Sequence, residues 1–442
     1  MIRFVYLAQI FKAILAINEL RRNMKSFHKI IIKYTFGLLF GIGLVFAQSD
    51  HSEEILNQYI RTGLENNPSI QEKFKQWKSA EAKIAFAKGL PNPSISFGYF
   101  LENVETAVGP QEYKIGIMQK IPWFGKRKAD ANIQSANAEM AFSQLEQKRL
   151  SITHEIRTVW YDSYYLMRIR DLTQQNFELI QNWDSVIRSK YVTSRTGHPD
   201  LIKTQIELIQ LEDDLLSLEN QKRPLLESFR SLLNNPNLSD IVVSDSLLFS
   251  TIGFEKKDLF KMIKETNPNI LIAQAELNMS KSRLKKAKLN RLPNLGIGIE
   301  KIGTGEKEGS EMSEKDPLVA KISLELPIWF RKNKSAIKSA NLSMEAVEQK
   351  LNSIQNELGA ELENILYDLK ESERQINLYQ NVLIPKGLES LGATEKAYRS
   401  DKIDFLSLVD AQQRLLKFQM KYEKALIDHL KAKSKLSVLT GE

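Results

Sequence analysis

One unit is written twice in this chain, and no other feature constrains the fold as much. Asn67-Pro68-Ser69-Ile70 recurs as Asn267-Pro268-Asn269-Ile270, and Leu90-Pro91-Asn92 recurs as Leu292-Pro293-Asn294. Ile121-Pro122-Trp123-Phe124, followed by Lys126-Arg127, recurs as Leu326-Pro327-Ile328-Trp329-Phe330, followed by Arg331-Lys332. Tyr191 and Gln205 match Tyr398 and Gln412, both 207 residues apart. From there a run of apolar positions, from Leu208 and Leu415 to Leu232 and Leu439, holds that same separation. Chance does not keep one offset across so many positions; tandem duplication does. The reading that follows is a first repeat over 48–250, a second over 251–442, and a distinct segment 1–47 ahead of them.

Each repeat reads as long helix, two strands, very long helix, turn, long helix. In the second, Ala340, Met344, Val347, Leu351, Ile354, Leu358, Leu362, Ile365 and Leu369 form a seam with a period near 3.5. That period drives left-handed supercoiling. The first repeat carries a looser seam through Ile152, Ile156, Val159, Leu166, Leu172, Trp183, Ile187 and Tyr191. A narrow apolar seam between polar flanks buries a helix only against neighbouring helices. From Lys126 to Ser194 there is no strong breaker, so about 100 Å of helix is expected at 1.5 Å per residue. Pro385 should kink the matching helix of the second repeat, since it removes one i to i−4 bond.

The strands define the surroundings. Ile95, Phe97 and Tyr99 alternate with Ser94, Ser96 and Gly98; Ile115, Ile117 and Ile121 alternate with Lys114, Gly116 and Lys120. In the second repeat Leu295, Ile297 and Ile299 alternate with Gly296, Gly298 and Glu300, and Ile322, Leu324 and Leu326 with Lys321, Ser323 and Glu325. Strands of about 8 to 11 residues with one apolar and one polar face suit a transmembrane barrel. The hairpin tips, Leu101–Gln111 and Lys301–Pro317, are polar and glycine-rich. Four strands cannot close, and an open edge in lipid leaves backbone groups unsatisfied. Chains must therefore pool their strands, giving about 8 from two copies or about 12 from three. The fold class is mainly α with a small transmembrane β part.

The segment 1–47 reads as an address. Lys25, Lys29 and Lys33 precede the apolar stretch Tyr34–Phe46, and Val45-Phe46-Ala47 supplies a cleavage site before Gln48. Met24 is the expected start of this signal peptide; the other reading of Met1–Asn23 is a second amphipathic helix. Seven basic residues of 1–47 stand against the single Glu19, so the net charge of +8 is concentrated there. The body is nearly neutral, which argues against a nucleic-acid partner. With no cysteine in the chain, a disulfide scaffold, a thiolate metal site and a cysteine nucleophile are excluded. Ser, His and Asp occur without a nucleophile elbow or a glycine-rich phosphate loop, and the five histidines and ten methionines form no cluster. No catalytic group, metal site or cofactor is expected, and His429 falls in the heptad seam as a packed residue.

The duplicated helix–hairpin–helix unit, the Leu-Pro-Asn strand starts, the Ile-Pro-Trp-Phe-Gly-Lys-Arg exit and the Tyr-to-Gln turns together resemble the TolC family of outer-membrane efflux proteins. The exit is similar to that of its heavy-metal branch. The resemblance runs from about Glu53 to Gly441, and it lies in the order and repetition of the motifs. It implies a homotrimer with a 12-stranded barrel in outer-membrane lipid and an α-barrel tunnel in the periplasm. Such ducts are passive. They serve tripartite efflux or type I secretion, docking on a periplasmic adaptor (membrane fusion) protein and an inner-membrane transporter of the RND or ABC type. The cargo is a drug, a metal ion or a protein.

The resemblance also places residues at the periplasmic tip. An acidic residue on the first repeat's turn falls on Asp200, and the tyrosine that holds it falls on Tyr398. The basic partner falls on Ile403, with Lys402 beside it, so that half of the latch departs from the pattern. Of two acidic rings that constrict the tip, Asp410 matches one, and Ser407 stands where the other acid would be. Carboxylates gathered on a threefold axis select for cations, and one ring predicts weaker selectivity than two. The plain alternatives are that Asp200 caps a helix and that Asp410 is a solvated charge. Trp123, Phe124, Trp329 and Phe330 occupy equivalent strand exits and suit the aromatic belt at a membrane interface. A periplasmic adaptor or structural coiled coil is the alternative function; it explains the helices but not the paired strands.

Overall fold

The opening helix of each repeat is two helices, broken at Asn67-Pro68 and at Asn267-Pro268. Residue 67 is forced out of helical geometry by the following proline, with φ −65° and ψ 122°, and Asn267 matches it at −63° and 123°. Each asparagine then caps the next helix: Ser69 N–H donates to Asn67 Oδ1 at 3.0 Å, and Asn269 N–H to Asn267 Oδ1 at 2.9 Å. Their amide nitrogens donate to the Leu232 and Leu439 carbonyls at 2.9 and 2.8 Å. One side chain thus fixes both a helix start and the end of the last helix in its repeat. Asn67→Ala and Asn267→Ala are each expected to lose about 1–2 kcal/mol, the value of a cap plus an unsatisfied buried carbonyl. Thermal unfolding followed by far-UV circular dichroism measures it.

The computed structural model describes residues 52–192, 197–244, 246–251, 253, 255–309, 315–400 and 402–442. The signal-peptide reading of 1–47 lies outside them. The order is α1 (52–66), α2 (Pro68–Lys88), β1 (Ser94–Val104), β2 (Gln111–Ile121), α3 (Lys126–Val192) and α4 (His198–Leu233). It continues with α5 (Lys256–Thr266), α6 (Pro268–Leu289), β3 (Asn294–Thr304), β4 (Leu318–Glu325), α7 (Phe330–Leu378), α8 (Ile384–Arg399) and α9 (Phe405–Thr440). Helix α3 has 67 residues, about 100 Å at the standard rise.

Between α7 and α8 the chain makes a π-helical turn, Tyr379–Leu383. The repeat explains it. Leu145, Ile152 and Ile156 of α3 match Leu351, Leu358 and Leu362 of α7 at a separation of 206, yet Tyr191 and Tyr398 are 207 apart. The second repeat therefore carries one extra residue in this stretch, and a π turn is how a helix absorbs one. Pro385 sits in the first turn of α8, just past that turn. The expected interruption is thus a π turn ahead of the proline, with helix resuming behind it.

Among the described residues the strands form one antiparallel sheet ordered β1-β2-β3-β4. Their ends differ from expectation. β1, β2 and β3 run into the segments expected to be tips, and β4 stops at Glu325 because Pro327 follows closely. The two hairpins share one register: Ser94 opposes Met118, and its repeat equivalent Gly296 opposes Ser323.

Helical packing supplies the core. In the first repeat Ile152, Ile156, Trp160, Phe229 and Leu233 are buried together; in the second, Leu259, Ile263, Leu362, Ile365 and Leu436. Each fully buried aliphatic side chain contributes about 1.5–3 kcal/mol. The part of the second seam nearest the sheet, at Ala340, Met344 and Val347, is only half-buried. The segment 234–255 links the repeats as a strap. It is held by Lys222 to Asp240 (2.7 Å), by the Arg230 guanidinium on the Leu238 carbonyl (2.8 and 2.6 Å), and by His429 Nε2 against the Ser250 carbonyl (3.1 Å).

Candidate functional site

Two regions hold the candidate functional residues: the sheet and the end of the helices where α3, α4, α8 and α9 meet, called the tip below. On one face of the sheet Ile95, Phe97, Ile115, Ile117, Ile297, Ile299, Ile322 and Leu324 are all exposed. The opposite face presents Lys114, Gly116, Glu300, Lys321 and Ser323, with an ion pair between Lys321 and Glu300. This is the alternation of a wall between lipid and water. Among the described residues β1 and β4 have no second neighbour, so both edges of the wall stand open. Trp123, Phe124, Trp329 and Phe330 follow β2 and β4 and are all exposed, Phe124 by 88% and Phe330 by 79%. Trp123 and Phe124 meet edge to face at 6.1 Å. Gly125, with φ 87°, makes the turn from β2 into α3.

At the tip Ile187, Phe405, Leu408 and Val409 are buried as one cluster, with Trp183, Leu201, Leu391 and Tyr398 packed around them. The Phe405 ring takes Trp183 edge-on at 6.0 Å and Tyr398 at 5.7 Å, while Lys190 Nζ lies 4.3 Å from the Tyr398 ring centre. Asp200 is half-buried in the first turn of α4, where its carbonyl accepts the Thr204 hydroxyl at 2.8 Å. Its neighbour Leu201 and Tyr398 therefore converge on one apolar knot. Lys402 and Asp410 do not join it; both lie exposed on the single chain. Ile403 is half-buried where the basic partner would stand. Residues 193–196 and 401 lie outside the described residues.

Sequence reasoning missed the residues that tie the two repeats together here. Asp404 caps α9, accepting the Ser407 N–H at 3.0 Å and hydroxyl at 2.6 Å. Those bonds hold its carboxyl below the usual range, and the charge of Lys203 on α4 adds to this. Gln413 donates to Glu207 at 2.8 Å, and buried Gln412 donates to Asn176 at 2.8 Å. Asp404 was findable as an Asp-x-x-Ser start before an apolar run; the pairings were not, because they join positions over 200 residues apart.

Among the described residues no helix is long and apolar enough to cross a membrane, and no three His, Asp or Glu side chains gather as metal ligands. His429 is buried, its Nδ1 3.1 Å from the Ser372 hydroxyl and its ring edge-on to Phe249 at 4.8 Å.

The family model described as "Outer membrane efflux protein" matches residues 259–442, covering most of the second repeat. Over that repeat, the chain is similar to the outer membrane efflux protein family. It is similar to the cobalt-zinc-cadmium resistance protein CzcC of Cupriavidus metallidurans, 18% identical over 81% of this chain and 82% of that protein. Among solved structures, a membrane protein from Pseudomonas aeruginosa superposes with TM-score 0.75 at 15% identity, over 88% of this chain and 93% of that one. The Campylobacter jejuni CmeC outer membrane channel superposes at 0.71 with 14% identity, over 88% and 86%. These likenesses establish the fold, long helices carrying a small antiparallel sheet. The family match over the second repeat supports a channel component of an efflux system, set in the outer membrane and extending into the periplasm.

Proposed function

We propose that three copies of this chain close into one passive exit duct, each lending four strands to a 12-stranded barrel and its helices to a periplasmic tunnel. The observation that carries this reading is the sheet: two-faced, four-stranded, and open at both edges among the described residues. Such edges are intolerable in lipid unless another chain pairs with them. Trp123, Phe124, Trp329 and Phe330 then sit at the inner membrane boundary as an aromatic belt. The duct supplies no energy. A periplasmic adaptor and an inner-membrane transporter deliver cargo to its tip, and the likeness to CzcC favours divalent metal cations as that cargo.

The same reading makes the tip a gate. Tyr398 and Asp200 flank the apolar knot that holds α8 and α9 against α3 and α4, with Lys402 and Asp410 facing the pore entrance. Asp200→Ala and Tyr398→Ala are expected to loosen the resting tip and raise single-channel conductance several-fold in planar bilayers. Asp410→Asn should instead lower cation over anion selectivity, read as a shift in reversal potential under a salt gradient. An unchanged closed conductance in both tip variants removes Asp200 and Tyr398 from the gate.

A further inference from the structure

The repeat makes the missing contact between neighbouring copies readable from the contact inside one copy. Within the chain, β2 of the first repeat pairs with β3 of the second, with Ile117 opposite Ile299 and Gln119 opposite Ile297. Just beyond, Lys126 at the start of α3 is buried. Its ammonium donates to the Leu292 carbonyl and to Asn294 Oδ1, both at 2.8 Å, so it clamps the start of β3. The repeat equivalents of all these groups exist at the outer edges of the sheet, where one chain cannot bring them together. At the separation of 206 that relates Trp123 to Trp329 and Phe124 to Phe330, Lys332 matches Lys126 and follows β4; Leu90 and Asn92 match Leu292 and Asn294 and precede β1.

The equivalence is structural as well as sequential, because the β1–β2 and β3–β4 hairpins share one register under it. Applying it to the β2–β3 seam gives a definite register for a β4–β1 seam. Ile117 and Ile299 become Ile322 and Phe97; Gln119 and Ile297 become Leu324 and Ile95. In the single chain these four are strongly exposed, at 79, 68, 54 and 76%, and all four share the apolar face.

We propose that β4 of each copy pairs with β1 of the next copy of this chain in the register Ile322 opposite Phe97 and Leu324 opposite Ile95. Lys332 then clamps the Leu90 carbonyl and the Asn92 side chain of that neighbour. The proposal deepens the shared-barrel reading and rests on it. Inside the chain, Asn294 is oriented by donating to Glu325 at 2.9 Å. Lys120 stands at the equivalent place beside Asn92, so the clamp between copies lacks that carboxylate and is the weaker of the two.

The chain has no cysteine, so paired substitutions report the register directly. Residues directly opposite on antiparallel strands have Cα atoms about 4.5–5.5 Å apart, within disulfide reach, while diagonal ones lie farther off. In oxidised outer membranes, F97C/I322C and I95C/L324C should give covalent oligomers up to the closed ring, and I95C/I322C far less. I117C/I299C, within one chain, should oxidise without joining chains and so controls for oxidation. Native-size oligomers in which that control oxidises but only the offset pair cross-links overturn the register and leave the shared barrel standing. So do oligomers in which neither aligned pair cross-links. Monomers in every variant overturn the shared barrel itself. Lys332→Ala should lower the temperature at which the wild-type oligomer dissociates in detergent, and no change there removes the clamp.

Discussion

Arg168→Ala should lower the stability of the helical region by about 3 kcal/mol at neutral pH, the low end of the cost of leaving a buried charge without its partner. The low end applies because the Arg168 side chain is 32% exposed, whereas that of Glu423 is only 6% exposed. The guanidinium Nε donates to Glu423 Oε1 at 3.0 Å, joining α3 of the first repeat to α9 of the second. Burial pushes the Glu423 carboxyl above the usual range, and the neighbouring Arg168 charge opposes that push. Tyr164, itself buried beside this carboxylate, is pushed up to about 12.

The sign of the pH dependence follows. A carboxyl whose folded-state value is raised binds its proton more tightly in the folded chain than in the unfolded one. Its contribution to stability is therefore fullest below the ordinary glutamate value and is lost as pH rises through the raised one. Removing Arg168 removes an opposing influence and carries that window further upward. The Arg168→Ala deficit should thus be largest near pH 7.5 and shrink as pH is lowered toward 5, while Glu423→Gln should abolish this component and cost little. Urea unfolding of the helical signal across that range measures both. A deficit independent of pH would mean that Arg168 acts through packing alone.

How much of this was legible in the sequence depends on how far apart the interacting residues are. The strands were, since alternation at Ile95–Tyr99 or Ile115–Ile121 is a local signal, and so was the length of α3. The break at Asn67 is carried by the Asn-Pro pair alone, a local backbone constraint that the apolar periodicity on either side does not show. The π turn was written as a change of offset from 206 to 207 within one helix pair, a signal visible only when the seams are compared position by position. The knot around Phe405 and the bonds from Gln412 to Asn176 and from Gln413 to Glu207 are long-range, and no periodicity encodes them. Trp160 was invisible for another reason. It lies between seam positions Ile156 and Leu166, on a face that the linking strap covers, so the heptad count leaves it out.

Trp160 is where the strap and the first core meet, and its removal should be the most damaging single substitution in the helices. The indole is 1% exposed, packs with Ile156, Phe229 and Leu233, and meets Tyr161 edge-on at 5.6 Å. Its Nε1–H donates to the Val242 carbonyl at 3.0 Å, while the Val242 N–H donates to the Tyr59 hydroxyl at 3.1 Å. Trp160→Ala should lose about 3–5 kcal/mol, as large-to-small changes in packed cores do. Trp160→Phe keeps most of the packing and loses the donor, so about 1 kcal/mol is expected for the lost hydrogen bond to the Val242 carbonyl. The strap separates this from a simple cavity. Leu238, Ile241, Val243 and Leu247 all pack on the same cluster, so an empty Trp160 site frees the segment between the repeats as well as weakening the core. Limited proteolysis should then cut Trp160→Ala within 234–251 at denaturant concentrations where Ile365→Ala, an equally buried change in the second core, stays intact there. Equal cutting in both variants would show that the strap is held by its ion pairs, Lys222 to Asp240 above all, and not by the indole.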